Sequence, residues 1–245
     1  MKRVCLIIPA FNERESLPKL LYEIRSIDFL KGFNIHTVVI NDGSTDDTKN
    51  IITENDVTLL SLISNLGIGG AVQTGLIYAK ENGYNIAIQV DGDGQHPPTE
   101  INKLLAIISE NNNIDLVIGS RYLTSEGYQS SFMRRLGINL FSLIIKLLTK
   151  KRYYDTTSGF RLINERALSY FADNYPDDFP EPESLVMSAM LGLKIEEVQV
   201  IMNYREKGKS SITSIKSIYF MLKVLLSIIF IFIRTKYEIK NGITL

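Results

Sequence analysis

Two aspartates one residue apart, Asp91 and Asp93, followed by Gln95 and His96, close the apolar run in the segment IAIQVDGDGQH. The run IAIQV reads as a strand buried in a sheet. Both carboxylates must then emerge at its C-terminal end, the edge where open α/β sheets bind their ligands. Two hard oxygen donors with the amide oxygen of Gln95 beside them suit Mg²⁺ or Mn²⁺ and the phosphates that such ions bridge. Gly92 and Gly94 leave room for a phosphate or sugar to approach the backbone. The competing reading is a polar turn after a buried strand, since Asp-Gly is a common turn pair.

Three further segments have the same character. ProAlaPheAsnGlu (9–13), AsnAspGlySerThrAspAspThr (41–48) and AsnLeuGlyIleGlyGlyAla (65–71) each follow an apolar, strand-like run. Glu13 and Asp42 can accept hydrogen bonds from a base or ribose. Gly67, Gly69 and Gly70 allow a tight loop whose N–H groups face phosphate at a helix start. Any one of these segments is weak. Four in succession argue for a single nucleotide pocket.

The elements that would position them alternate. RVCLIIP reads as a strand, then a helix from about Glu13 to Ile27 carries Leu17, Leu20, Leu21 and Ile24 on one face. IHTVVIND is the second strand, SerThrAspAspThr opens a helix with capping residues, and VTLLSLI is the third strand. A glycine-opened helix over 67–81, the strand IAIQVDGD, a helix over about 99–111 and the strand DLVIGS complete the first half. Successive βα units of this kind predict an α/β fold with a mostly parallel sheet and helices on both faces. In the second half, residues 131–151 and 212–240 are long and apolar with basic residues interspersed. Between them lie the strand SGFRLI, an acidic segment PDDFPEPE read as a rigid loop, and the strand KIEEVQVIM.

Composition bounds the partners. The 245 residues are 45% hydrophobic, enough for a sizeable core, and 27 basic residues balance 27 acidic ones. Such balance gives no global signature of nucleic-acid binding. The single cysteine, Cys5, sits in the apolar run VCLII, as a buried core residue with no disulfide partner. That fits a reducing, cytosolic compartment. The apolar run after the first residues stops at Pro9, too short for a signal peptide.

IPAFNE, VINDGSTDDT, NLGIGGAVQTG and the aspartate pair of DGDGQHPP together resemble the nucleotide-binding half of the family 2 glycosyltransferases. GSRY (119–122), TSGFRL (157–162) and REKGKSS (205–211) extend the resemblance to the branch that includes dolichyl-phosphate mannose synthase, over about residues 2–212. It implies the GT-A fold, a Rossmann-like, mostly parallel sheet flanked by helices, with a C-terminal amphipathic helix. The glycosyltransferase domain would span 1–211, and 212–245 would form the appended helix. The implied activity is metal-dependent, inverting transfer of a sugar from a nucleotide-sugar donor to a polyprenyl phosphate. Asp91, Asp93 and Gln95 would hold Mg²⁺ or Mn²⁺, with Asp93 and Arg121 taking part in catalysis. Pro9, Phe11, Glu13, Asp42, Gly69 and Asp91 would line the nucleotide sugar. Arg121, Arg134, Arg135, Arg205 and Lys207 would clamp acceptor phosphate, work for which the planar guanidinium fork is suited. Arg161 reads equally as a structural ion pair, and His96 as a supporting or surface histidine rather than a ligand.

No general base stands out, and a phosphate acceptor needs none. Its second pKa lies near 6, so it is already ionised at neutral pH. A sugar-hydroxyl acceptor on a lipid-linked saccharide would need a base, for which Glu183 and Glu181 are the candidates. A third reading is a non-catalytic nucleotide-sugar-binding subunit, against which the intact aspartate pair argues.

The two apolar stretches bear on location. In 212–240, Lys216, Lys223, Ser227 and Arg234 recur on one side, opposite an apolar face carrying Phe220, Leu222, Leu225, Ile229 and Phe232. In 131–150, Arg135, Asn139, Ser142, Lys146 and Thr149 oppose Phe132, Leu136, Leu140, Leu143, Ile144 and Leu147. Basic amphipathic helices of this kind suit an enzyme lying peripherally on the cytoplasmic face of an anionic membrane. The alternatives are packing on a small integral membrane partner, in a homo-oligomer or on the sheet. A lysine in mid-run costs about 2.5–3.5 kcal/mol at a bilayer centre, which disfavours a span.

Overall fold

A computed structural model of the chain describes residues 1–55, 57–124, 132–203 and 214–242, without the side chains of 132–134 and 214–218. The strands are β1 (Lys2–Ala10), β2 (Phe33–Asn41), β3 (Thr58–Ser61), β4 (Ile86–Gln89), β5 (Leu116–Ser120), β6 (Arg161–Asn164) and β7 (Ile195–Gln199). They form one sheet in the order β3-β2-β1-β4-β6-β5-β7. Every pairing is parallel except those of β6, which runs antiparallel to β4 and to β5. The chain order reverses beside β1, which lies between β2 and β4, and that reversal opens a crevice at the strands' C-terminal ends.

The continuous apolar character of β1 is explained by cover on both sides. Val4, Leu6 and Ile8 pack with Leu17, Leu20 and Leu21 of α1 (Leu17–Arg25) and Leu104 and Leu105 of α4 (Ile101–Glu110). Cys5 and Ile7 pack on the other face with Val72 and Leu76 of α3 (Gly67–Glu81) and Phe171 of α6 (Glu165–Asn174). A further short helix, α2 (Thr48–Thr53), follows β2. Helix α1 starts later than its apolar spacing suggested. Pro18 is tolerated only in a first turn, and Glu13–Ser16 form a separate turn in which the Ser16 hydroxyl donates to the Glu13 carboxylate at 2.6 Å.

Three helices complete the layer on the α3 side: α5 (Phe132–Thr149), α7 (Pro180–Met190) and α8 (Ser214–Lys240). The acidic segment expected to be a loop instead opens α7. Pro180 and Pro182 fit a first turn, where no intrahelical N–H bond is lost, and Glu181 and Glu183 suit the positive end of the helix dipole. Helix α8 contributes Val224, Ile228 and Ile231 to the same core cluster as Leu185 of α7. Its opposite side, with Leu222, Leu226, Ile229, Phe230 and Ile233, is exposed. The expected polar side of this helix is divided: Lys223 and Arg234 are exposed, while the half-buried Ser227 lies against the Glu183 carboxyl. Helix α5 likewise buries Ile138, Phe141 and Ile145 and exposes Leu136, Leu140, Leu143 and Leu147. Ser142, expected on its polar face, is buried and donates to the Tyr153 carbonyl. No helix among the described residues is both long and apolar enough to cross a membrane.

Candidate active site

A cleft of about 420 Å³ opens where the sheet order reverses. Pro9, Ala10, Phe11 and Glu13 line it from the end of β1, Asp42 from the end of β2, and Asp91, Gly92 and Asp93 from the end of β4. Asn65, Gly67, Ile68 and Ala71 supply the wall around the start of α3. Each strand delivers its polar residues here because its apolar run ends at the same level of the sheet.

Hydrogen bonds across the strand ends fix the wall. Asn12 adopts a left-handed backbone with φ 57°, uncommon for a residue with a side chain. Its N–H donates to Ser44 Oγ at 3.0 Å, and its Oδ1 accepts from the Thr45 N–H at 2.9 Å. The Glu13 N–H donates to Thr48 Oγ1 at 2.9 Å. These bonds tie the loop after β1 to the loop after β2 and thereby set Phe11 and Glu13.

Asp42, which lines the cleft as expected, has a second task there, and Gly69 does other work than its spacing suggested. The Asp42 carboxylate accepts from the N–H groups of Leu66 at 2.7 Å and Gly67 at 3.0 Å, so it caps the start of α3. The Gly67 amide, expected to face phosphate, is thus taken. Gly69 turns from the cleft toward the backbone after α6: a Cβ there would lie 2.3 Å from the Asp177 carbonyl oxygen. Its smallness serves close packing of protein on protein.

At the end of β4, Gln89 Nε2 donates to Asp91 Oδ1 at 3.2 Å, and Asp93 Oδ1 accepts from the Gln95 N–H at 3.0 Å. The donor set fits a divalent ion. The described residues lining the cleft include four carboxylates, Glu13, Asp42, Asp91 and Asp93, and no lysine, arginine or histidine. Two like unit charges about 4 Å apart repel by about 4 kcal/mol at an effective dielectric of about 20. An anionic diphosphate therefore needs a cation to enter. Among the described residues no group of three or more His, Cys, Asp or Glu side chains could hold a metal ion. Asp91 and Asp93 at the end of β4 are the carboxylates that could share such an ion with substrate phosphates, the way Mg²⁺ is commonly bound.

Arg121, directly after β5, is buried against Asp155. Its Nε and Nη2 donate to the two Asp155 oxygens, each at 2.7 Å, and Nη2 also reaches Thr157 Oγ1 at 3.0 Å. Burial works against the guanidinium charge, but the adjacent Asp155 carboxylate more than offsets this and raises its pKa. The Glu197 carboxylate of β7 holds Asp155 in turn, accepting from the N–H groups of Tyr154 and Asp155 at 2.8 and 2.9 Å. The guanidinium groups of Arg121 and Arg135 both lie over the Tyr122 ring, 5.3 and 5.1 Å from its centre. The structure thus brings these two predicted phosphate ligands together. The Arg134 side chain, Arg205 and Lys207 lie outside the described residues.

The two glutamates of α7 part company. Glu183 Oε1 accepts from the Phe179 N–H at 3.2 Å, which caps its own helix. Glu181 is half-buried with its carboxyl inward. Burial raises its pKa and Asp91 adds to the effect, while Arg161 and Arg121 oppose it. Arg161 is buried and donates to three neutral acceptors, the Ser158 carbonyl, Ser184 Oγ and the Glu181 carbonyl, at 2.7–2.8 Å. It pins the start of α7 to the sheet. Asp155, Glu197, Gln89 and Asn12 were not singled out in the sequence. Asp155, Glu197 and Asn12 act through partners distant in the chain, which no local motif reports, whereas Gln89 acts on Asp91 two residues away and reads in the sequence as part of the buried strand.

The sequence model of glycosyl transferase family 2 matches residues 5–171. A dolichyl-phosphate beta-glucosyltransferase of Trichomonas vaginalis is 30% identical over 230 residues, 86% of this chain and 68% of that protein. An undecaprenyl-phosphate mannosyltransferase of Micrococcus luteus is 29% identical over 220 residues, 86% of this chain and 88% of that protein. Among solved structures, glucosyl-3-phosphoglycerate synthase of Mycobacterium tuberculosis, in complex with Mn²⁺, UDP-glucose and phosphoglyceric acid, superposes with a TM-score of 0.71. Its sequence identity is 16%, and the match covers 94% of this chain and 80% of that one. That likeness establishes the GT-A fold.

Proposed function

The chain belongs to glycosyl transferase family 2 and is a glycosyltransferase, and on that premise we propose that it moves a sugar, with inversion, from a nucleotide-sugar donor to a polyprenyl phosphate. The observation that carries the donor half is the acidic lining of the cleft, which suits a nucleoside diphosphate only in company with a divalent ion. Asp91 and Asp93, with Gln95 beside them, would hold Mg²⁺ or Mn²⁺. The ion, when bound, neutralises the donor diphosphate and stabilises it as a leaving group. Pro9, Phe11 and Glu13 hold the nucleoside against the β1 edge. The acceptor half is supported by relatives named for dolichyl and undecaprenyl phosphate that match most of this chain.

Arg121 and Arg135 would orient the acceptor phosphate, with Arg134, Arg205 and Lys207 completing the clamp. Arg121 is suited to the role because Asp155 occupies only its Nε and Nη2 edge. The acceptor oxygen attacks the anomeric carbon, the bond to the donor diphosphate breaks, and no proton need be removed from an ionised phosphate. The exposed leucine rows of α5 and α8, with Arg135, Lys146, Lys223 and Arg234 exposed on the same helices, would lie on an anionic lipid surface. The buried lone Cys5 accords with a reducing compartment, and the proposal places the enzyme peripherally on the cytoplasmic face.

One observation favours a second reading. Glu181 is an inward carboxyl with raised pKa, electrostatically coupled to Asp91 and Arg121, and could serve as base toward a sugar hydroxyl. A panel of radiolabelled nucleotide sugars, offered with undecaprenyl phosphate or with a lipid-linked saccharide, separates the two. Label transferred to the lipid phosphate supports the first reading; label found only on the saccharide replaces it with the second.

A further inference from the structure

His96 closes the aspartate motif on itself. The residue is 3% exposed, and its ring stacks on Phe160 with centres 5.0 Å apart and planes 20° from parallel. Nδ1 accepts the backbone N–H of Asp91 at 3.0 Å, and Nε2 stands 3.6 Å from Asp91 Oδ2. Since Nδ1 must present its lone pair to that amide, the ring proton lies on Nε2, on the side of the Asp91 carboxylate. Two other contacts confine the same carboxylate. Gln89 Nε2 donates to Oδ1, and Gly159 approaches so closely that a Cβ there would lie 3.3 and 3.4 Å from the two oxygens. The bond between the Asp91 amide and the His96 ring spans the turn that carries Asp93 and Gln95. That turn is anchored at its far end by the Asn203 N–H, which donates to the Gln95 carbonyl at 2.9 Å.

We infer that His96 is a positioning residue: its Nδ1 holds the Asp91 amide, and so keeps the Asp91 and Asp93 carboxylates at the spacing a divalent ion requires. The inference rests on the metal reading given above. A ligating carboxylate must be aimed before the ion arrives, and outer partners that aim ligands typically carry about 10- to 100-fold in metal affinity. Phe160 keeps the ring from turning away, and burial shields the bond from competing water.

The test separates this role from simple packing. Mn²⁺ binding is followed by electron paramagnetic resonance on purified full-length protein with UDP or GDP present, for wild type, His96→Phe, His96→Asn and Asp93→Asn. His96→Phe keeps the stacking ring but loses the acceptor, and should weaken Mn²⁺ binding by about 10- to 100-fold. In His96→Asn the amide oxygen stands where Nδ1 was, and most of that loss should be recovered. The reverse order, with Phe close to wild type and Asn impaired, would mark His96 as a packing residue and overturn the inference. If wild type binds Mn²⁺ no better than Asp93→Asn, the metal reading fails and takes this inference with it. Melting curves establish that each variant is folded. Should His96→Phe not fold, His96→Leu against His96→Asn poses the same comparison.

Discussion

At the C-terminal ends of β1, β2 and β4, polar side chains hold one another: Asn12 straps two loops, Asp42 caps α3, and Gln89 and His96 grip Asp91. Along α5 and α8 the terms are reversed. Leu140, Leu143, Leu226 and Phe230 stand exposed, while Ser142 and Ser227 turn to the protein. On the proposed function the cleft would hold a diphosphate and an ion at set distances, and its geometry is determined several times over. A helix face that meets lipid needs apolar area and little geometry. Substitutions in the first region should therefore cost activity or folding, and those on the exposed rows should cost attachment alone.

The largest effect is expected at Asp93. Asp93→Ala should lower turnover by on the order of 10³-fold, since in the proposed role as a ligand it would support several kcal/mol of transition-state stabilisation. The circular dichroism spectrum should stay that of wild type, and undiminished turnover would dissolve the contrast between the regions. Asp155→Ala comes next. It leaves the buried Arg121 guanidinium without its carboxylate and should cost about 3–5 kcal/mol in urea unfolding. A change near zero would show that solvent reaches Arg121 freely.

Helix α8 carries the same contrast within one element. Ile228→Ala should cost about 2–5 kcal/mol of stability, whereas Leu226→Ser should stay within about 0.5 kcal/mol while reducing binding to anionic vesicles. Equal destabilisation by both would show that the outer face is covered in solution.

The smallest effect concerns Glu181. Its folded-state pKa lies above the ordinary value of 4.5 because burial disfavours the charge. The folded chain therefore holds this proton where the unfolded chain has released it. The stability so gained is complete below pH 4.5 and is lost as pH rises through the folded pKa. Glu181→Gln should melt above wild type near neutral pH, with the gap closing under acid. A gap that widens on acidification would show that the carboxylate is stabilised by Arg161 and Arg121.

How far this was legible in the sequence differs between the regions for the same reason. The strand ends are local patterns, so Asp91 and Asp93 and the walls from Pro9, Glu13 and Asp42 could be found before any fold was known. Gly69 was placed in the right region with the wrong partner, because a glycine at a helix start reads alike whether phosphate or the Asp177 backbone approaches it. Glu183 and Glu181 lie two residues apart, and only the helix that the prolines open separates a cap from an inward carboxyl. In α8 apolar residues surround the axis, so periodicity could not tell the buried row of Val224, Ile228 and Ile231 from the exposed one. Long-range pairs such as Arg121 with Asp155 leave no trace in either chain segment.

The proposed function requires that the acidic cleft accept a nucleoside diphosphate only together with a divalent ion held by Asp91 and Asp93. It is tested most directly by titration calorimetry of UDP and GDP into metal-stripped protein, with and without Mn²⁺. Heat of binding for one nucleotide that appears on adding Mn²⁺, vanishes with chelator, and is lost in Asp91→Asn and Asp93→Asn is the predicted result. Equally tight nucleotide binding in excess chelator would contradict it.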